Sequence, residues 1–155
     1  MSDPFIFNLM GTARQNIAKL MDNVAVEQRA IVPQGFNNNL HWQIGHIVTV
    51  AERLTYSLRG EPSQLPGEYM LFFNTGTKPA DWTSEPPAWE DILAVMESQL
   101  IRIRDVFGER LDEGLANHNN FAGAKTFRNL LELNVAHENS HVGMINAMIR
   151  VLKQS

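Results

Sequence analysis

The sequence predicts an all-α protein, a four-helix bundle folded as a single domain over residues 1–155. Four long segments place apolar residues at steps of three and four, the period of a helix, and the chain shows little sign of strands. A chain of this length can bury a core of its own without disulfides. The hydrophobic fraction of 44% and the charged fraction of 19% are those of an ordinary globular protein. These observations together favour a helical bundle.

The first helix is predicted to begin at Asp3 and Pro4, because aspartate suits the capping position and proline suits the first turn. Its apolar residues fall on one stripe, made of Ile6, Leu9, Met10, Ala13, Ile17, Leu20 and Met21. The segment Pro33-Gln34-Gly35 then breaks the chain.

The second helix is predicted to follow residues 37–39, three asparagines that can each serve as its cap, and to end near Gly60. Its main apolar stripe consists of Leu40, Ile44, Ile47, Ala51, Leu54 and Leu58. A second line at four-residue spacing, Trp42, His46 and Val50, lies roughly 120° away around the helix. A helix with two apolar faces is either central to the bundle or shared with a partner chain.

Residues 60–86 read as a long connection between the second and third helices, rich in proline and glycine. It carries aromatic side chains at Tyr69, Phe72, Phe73 and Trp82. Connections this long are uncommon within a compact domain. Two interpretations stay open: a lid or wall of a functional site, or a cover over one end of the core.

The third helix is predicted to start between Ser84 and Pro87 and to end at Gly108. Its stripe is Trp89, Ile92, Leu93, Met96, Leu100, Ile103 and Phe107. The fourth helix is predicted to be capped near Thr126. One of its faces carries Leu130, Leu133, Asn134, His137, His141, Met144, Met148 and Val151.

Two histidines on the last helix form the first candidate site. His137 and His141 are four residues apart, so they lie about 40° apart around the helix, one turn above the other. Both fall within the predicted apolar stripe, and burying two imidazoles without partners is costly. A metal ion resolves this cost, because it accepts the lone pair of a neutral imidazole. The alternative is a pair of core histidines bonded to neighbouring polar groups.

Glu138 stands between these histidines and completes the letters of His-Glu-x-x-His, the zinc peptidase motif. Only 14 residues follow His141, which leaves no room for the third ligand of the common peptidase families. The match is therefore interpreted as coincidental. Glu138 lies about 60° around the helix from His141, so we consider it as a catalytic general base or as an acceptor for an imidazole N–H. A solvated surface carboxylate is the alternative.

A third ligand has to come from another part of the chain, and His41, His46 and His118 remain. His118 lies in an asparagine-rich stretch and reads as a surface residue. His41 and His46 lie about 140° apart around the second helix, so they are not expected to serve the same ion. Periodicity alone does not choose between them.

The sequence resembles the DinB-like (YfiT-type) family over nearly its whole length. The resemblance rests on Trp-x-x-x-His in the second helix, from Trp42 to His46, and on His-x-x-x-His-x-Gly in the last, from His137 to Gly143. It implies that His46 is the third metal ligand, beside His137 and His141. It also implies that Trp42 and Gly45 shape the helix around the site, with glycine allowing another segment to approach closely.

The resemblance implies one divalent metal ion on three histidines, with zinc or nickel favoured and iron or manganese compatible. It further implies an enzyme that transfers a low-molecular-weight thiol, such as bacillithiol or mycothiol, to a small electrophile. Family members are often homodimers, and the two apolar faces of the second helix agree with a dimer. A metal-dependent hydrolase, with metal-bound water as nucleophile, and a non-catalytic metal-binding module are the alternatives.

Composition restricts the partners further. The chain contains no cysteine, so a transition metal has to bind imidazole and carboxylate. The net charge is −4 and the basic residues do not cluster, which argues against a nucleic-acid partner. No apolar run is long enough to cross a membrane, and the first residues do not resemble a signal peptide. These features predict a cytoplasmic protein.

Overall fold

The computed structural model describes residues 4–154 and confirms the all-α fold. Within these residues there are five α-helices and no β-strand. The helices are α1 (Pro4–Met21), α2 (Leu40–Thr55), α3 (Glu68–Phe73), α4 (Trp89–Phe107) and α5 (Phe127–Gln154). Three single turns of 3₁₀-helix lie between them, at Val26–Gln28, Ser57–Arg59 and Pro79–Asp81. No helix of this part of the chain has both the length and the apolar character needed to span a bilayer.

The four long helices are the four that the sequence predicts, with small differences at their ends. Asn39 caps α2, and its side-chain oxygen accepts a hydrogen bond of 2.8 Å from the backbone N–H of Trp42. Helix α4 begins at Trp89, slightly later than expected, because Ala88 has an extended backbone. The predicted start of α1 at Asp3 lies outside the described residues.

The connection between α2 and α4 is more ordered than the sequence indicates. It contains the short helix α3, which follows Pro66 and Gly67 and has a glutamate in its first turn. Tyr69, Phe72 and Phe73 of α3 are buried, and the hydrophobic cluster that they join includes residues of α1, α2, α4 and α5. The connection therefore packs as part of the core.

Helix α2 is the central helix of the bundle. Of its 16 residues, all but His41 and Arg53 are buried. Both of its apolar faces thus find partners within the same chain, which is the first of the two alternatives that the sequence left open. The faces of α2 consequently give no reason for a dimer, and the homodimer stays a prediction from the family resemblance.

The inward face of α5 differs from the one predicted. Buried residues follow the heptad pattern of packed helices, with steps of four and three interrupted by one step of seven: Phe127, Leu131, Asn134, Glu138, Ile145, Met148 and Leu152. His137 lies beside this stripe and is half-buried, whereas Glu138 lies in its middle and is fully buried. The expectation of a solvated Glu138 on the helix surface is therefore wrong.

An ion pair between α1 and α5 explains how Glu138 can be buried. Arg14 of α1 is only 6% exposed, and its Nε and Nη2 donate to the two carboxylate oxygens of Glu138. Asn134 donates to Glu138 as well. The remaining Arg14 hydrogen bonds reach α4, at the Met96 carbonyl and the Gln99 side chain. A buried charge is tolerated when it is paired and hydrogen-bonded in this way.

We expect Glu138→Gln to lower the free energy of unfolding by about 3–5 kcal/mol, because it leaves the Arg14 charge buried without a counter-ion. Exposed Glu132 on the same helix provides the matched control, and Glu132→Gln should change stability by less than about 0.5 kcal/mol. Urea unfolding followed by circular dichroism measures both.

The double variant Arg14→Met with Glu138→Leu removes both charges and should recover a large part of the loss, since a buried pair can be replaced by apolar residues of similar size. Equal effects of Glu138→Gln and Glu132→Gln would contradict this account.

Candidate metal centre

Three imidazoles from two helices converge inside the bundle. His46 comes from α2, and His137 and His141 come from successive turns of α5. The three nitrogens that could bind an ion all lie within 4.8 Å of one another. The Nε2 atoms of His46 and His137 are 3.1 Å apart. Zinc–nitrogen bonds of 2.0–2.1 Å in a tetrahedral site would place two such nitrogens about 3.3 Å apart, so the spacing suits a single ion.

Hydrogen bonds on the far side of two rings decide which nitrogen faces the centre. The Nδ1 of His46 lies 2.7 Å from the carbonyl oxygen of Phe73, and the Nδ1 of His141 lies 2.6 Å from the side-chain oxygen of Gln43. Both oxygens can only accept, so each Nδ1 carries the proton and donates. Each Nε2 of a neutral ring therefore keeps its lone pair. Acceptors on the distal nitrogen orient metal-binding histidines in this way.

His137 provides a second indication that the cluster suits a cation. Its Nδ1 is buried and has no hydrogen-bond partner among the described residues. Its Nε2 faces the Nε2 of His46, and two nitrogens at this distance can share only one proton. A cation between the rings would accept the lone pairs of both. The residues therefore form a group that could hold a metal ion.

Burial keeps the three rings neutral. The pKa of His137 is lowered to about 3, mainly by burial and further by electrostatic interactions with His141, His46 and Arg53. Burial, with a contribution from His46, lowers the pKa of His141 to about 4. The pKa of His46 is also lowered, mainly by burial. At neutral pH the lone pairs are therefore free of protons, which is the form that metals bind.

Helix α3 is held against α2 at Gly45. A Cβ atom at this position would lie 2.5 Å from ring atoms of Phe73, closer than real side chains approach, so only glycine leaves room for the ring. The same Phe73 accepts the hydrogen bond of His46 through its carbonyl oxygen. The close approach at Gly45 thus brings in the acceptor that orients the His46 ring.

Trp42 covers one face of His46. The two rings are stacked with centroids 4.3 Å apart and an angle of 12° between their planes. The indole N–H of Trp42 donates to Thr77 at 2.9 Å, and the Thr77 hydroxyl donates to the carbonyl of Phe72. The connection between α2 and α4 therefore forms a wall of the site and also packs into the core.

The other two histidines lie elsewhere. His41 is half-buried, with Nε2 2.7 Å from the carbonyl of Pro87 and its ring near Trp82 and Trp89. His118 is exposed. Of the candidates for a third ligand, the structure brings His46 to the pair on α5.

Glu138 does not belong to the imidazole group. Its two oxygens accept hydrogen bonds from Arg14 and Asn134, which is the arrangement of a buried counter-ion. This geometry favours a structural role over that of a general base.

Sequence reasoning missed two residues that orient the histidines. Gln43 is fully buried one turn before His46, and its amide nitrogen donates to Asn38 while its oxygen accepts from His141. A glutamine three positions before a candidate ligand on the same helix was an available signal. Phe73 acts through its backbone carbonyl, which no side-chain pattern reveals.

Comparisons with known proteins agree with the fold. A family model described as the DinB superfamily matches residues 10–145. The crystal structure of a conserved protein from Enterococcus faecalis is similar with a TM-score of 0.71 at 12% identity, covering 100% of this chain and 99% of that one. At this identity the likeness concerns the fold alone. No curated protein matches the sequence.

We expect Gly45→Ala to lower the free energy of unfolding by about 1–3 kcal/mol, because the added methyl group displaces Phe73. Moving Phe73 also disturbs the acceptor of His46, so metal affinity should fall by about 10–100-fold. Urea unfolding and metal titration measure the two effects.

Gly143→Ala is the matched control, since Gly143 is a helical glycine with open space around it. It should leave metal affinity unchanged and stabilise the protein by up to about 1 kcal/mol. If the two variants behaved alike, the close approach at Gly45 would have no part in holding the site.

Proposed function

The chain belongs to the DinB superfamily, and from that premise we propose that it is a metal-dependent enzyme that transfers a low-molecular-weight thiol to small electrophiles. The observation that carries the proposal is the convergence of three neutral imidazoles on one point. The thiol chemistry comes from the family resemblance. A chain without cysteine is consistent with a reactive sulfur that arrives on the substrate.

In this proposal His46, His137 and His141 each supply one nitrogen to a divalent ion. Zinc or nickel is favoured, and iron and manganese are compatible with imidazole ligands. Three protein ligands leave coordination positions open, as catalytic sites do. When bound, the metal supplies a positive charge that lowers the pKa of a thiol, so that the nucleophilic thiolate is present at neutral pH.

The residues around the histidines orient the rings and exclude water. Phe73 and Gln43 accept the distal N–H groups of His46 and His141, so these two rings cannot turn their lone pairs away from the centre. Trp42 stacks on His46 and covers one of its faces. A rigid and partly dry site strengthens the electrostatic effect of a bound cation on a substrate sulfur.

The two alternative functions have less support in the geometry. In the hydrolase hypothesis Glu138 would activate the metal-bound water, and its carboxylate is engaged in an ion pair with Arg14. A purely structural metal site would be closed by a fourth protein ligand. The group on the described residues contains three.

A small-molecule substrate, a homodimer and a cytoplasmic location complete the proposal. They follow from the family resemblance and from the composition of the chain.

A thiol-transfer assay tests the proposal. Metal-loaded protein is incubated with bacillithiol, mycothiol or glutathione and a small alkylating electrophile, and the S-conjugate is measured by mass spectrometry. We expect at least one thiol to be conjugated faster than without protein, because a bound metal raises the thiolate fraction.

His137→Ala should return the rate to that of the free thiol. His118→Ala, the same change at an exposed histidine, should leave it unaltered. Fully metallated protein that turned over none of the three thiols would overturn the proposed activity.

A further inference from the structure

Arg53 differs from the other partly buried arginines in having no acidic partner. Six arginines form ion pairs with carboxylates, namely Arg14, Arg29, Arg59, Arg102, Arg110 and Arg128. Arg53 is half-buried, and among residues 4–154 no carboxylate pairs with it. Its Nη1 donates to the neutral side-chain oxygen of Asn74 at 2.9 Å. Partial burial of a cation without a counter-ion carries a cost in solvation, and an anionic ligand would offset that cost.

Arg53 lies on the same side of α2 as His46. The two residues are seven positions apart, which is about 10.5 Å along the helix axis and within about 20° around it. Side chains of a helix lean toward its N-terminus, so the long arginine reaches back toward His46. The Arg53 charge adds to the effect of burial in lowering the pKa of His46 and His137. The Arg53 charge is therefore close enough to act electrostatically on the imidazole group.

Neighbouring segments hold the guanidinium in place. Asn74, its hydrogen-bond partner, directly follows Phe73, whose carbonyl orients His46. On another side the guanidinium lies 5.8 Å from the ring centroid of Phe121, a residue of the loop that precedes α5. Contacts from two connections therefore flank the guanidinium.

There is room for a small group next to Arg53. A cavity of about 100 Å³ lies between α2 and the connection that contains α3, and Thr49, Arg53, Tyr69 and Met70 are among its lining residues. Glu52 also lines this cavity, but its oxygens accept hydrogen bonds from Gln64, Gln99 and Arg102. The negative charge of Glu52 is thus balanced by Arg102, and Arg53 remains the unpaired charge.

We propose that Arg53 binds a carboxylate of the substrate, so that the site selects molecules that carry an anionic group close to the atom held at the three histidines. This inference rests on the proposed function, because it assigns the substrate class of the same site. Planar guanidinium and carboxylate groups form two parallel charge-assisted hydrogen bonds, which fix orientation as well as adding affinity. Thiols with a carboxylate near the sulfur are the class that fits.

Binding of small probes to the cobalt(II)-loaded protein tests this assignment. 3-Mercaptopropionate and its neutral amide, 3-mercaptopropionamide, carry the same thiol and differ in one charge. Each is titrated while the thiolate-to-cobalt absorption is recorded. Wild-type protein should bind the carboxylate about tenfold or more tightly than the amide, as expected for a charge-assisted hydrogen bond.

Arg53→Met keeps the apolar stem of the side chain and removes its charge. The ratio of the two dissociation constants should fall close to one, with affinity for the amide unchanged. Arg150→Met, at an exposed arginine of α5, is the matched control and should keep the wild-type ratio. If Arg53 had only a structural role, Arg53→Met would weaken the binding of both probes equally, and this result would overturn the assignment.

The possible outcomes separate the two proposals. Equal binding of carboxylate and amide by the wild type, or a preference that survives Arg53→Met, contradicts the role of Arg53 and leaves thiol chemistry intact. If neither thiol changes the cobalt spectrum, the thiol function fails, and succinate compared with succinamate decides the role of Arg53 in the same way. Failure of cobalt to bind would overturn both.

Discussion

The mutual approach of three neutral imidazoles is the interaction on which the surrounding architecture depends. His46 and His137 face each other through nitrogens 3.1 Å apart, an arrangement that one shared cation satisfies better than protons do. Two of the three rings are oriented by hydrogen bonds from the nitrogen that points away from the centre. The bundle therefore has to supply a hydrogen-bond acceptor next to each of these two nitrogens. Phe73 provides one from α3, and Gln43 provides the other from α2. The connection between α2 and α4 is accordingly part of the site.

A second constraint sets the rotation of α5. Glu138 stands between the two histidines of that helix and is anchored to α1 and α4 through Arg14. The residues of a rigid helix rotate about its axis as one body. The burial of Glu138 in the core therefore determines how close His137 and His141 lie to the edge of the core. The ion pair therefore acts on the metal centre through the position of the helix, and His137 lies half-buried beside the core.

The sequence predicted the helices and the histidine pair because both depend on local spacing. It misplaced the inward face of α5, since a stripe through His137 and Met144 is nearly as apolar as the true one. The heptad spacing of Leu131, Glu138, Ile145 and Leu152 identifies the true inward face, but only if a glutamate is assigned to the core. That assignment requires knowledge of Arg14, which is more than a hundred residues away. Backbone acceptors and packing at α3 likewise arise from tertiary contacts that spacing does not encode.

Direct location of a metal tests the central claim. Protein purified without a histidine tag or added metal is crystallised, and anomalous scattering is recorded at the absorption edges of zinc, nickel, iron and manganese. The account predicts one peak per chain, bound by the Nε2 atoms of His46, His137 and His141. An ion bound elsewhere, or three imidazoles with no ion between them even after the crystals are soaked in zinc and nickel, would contradict it.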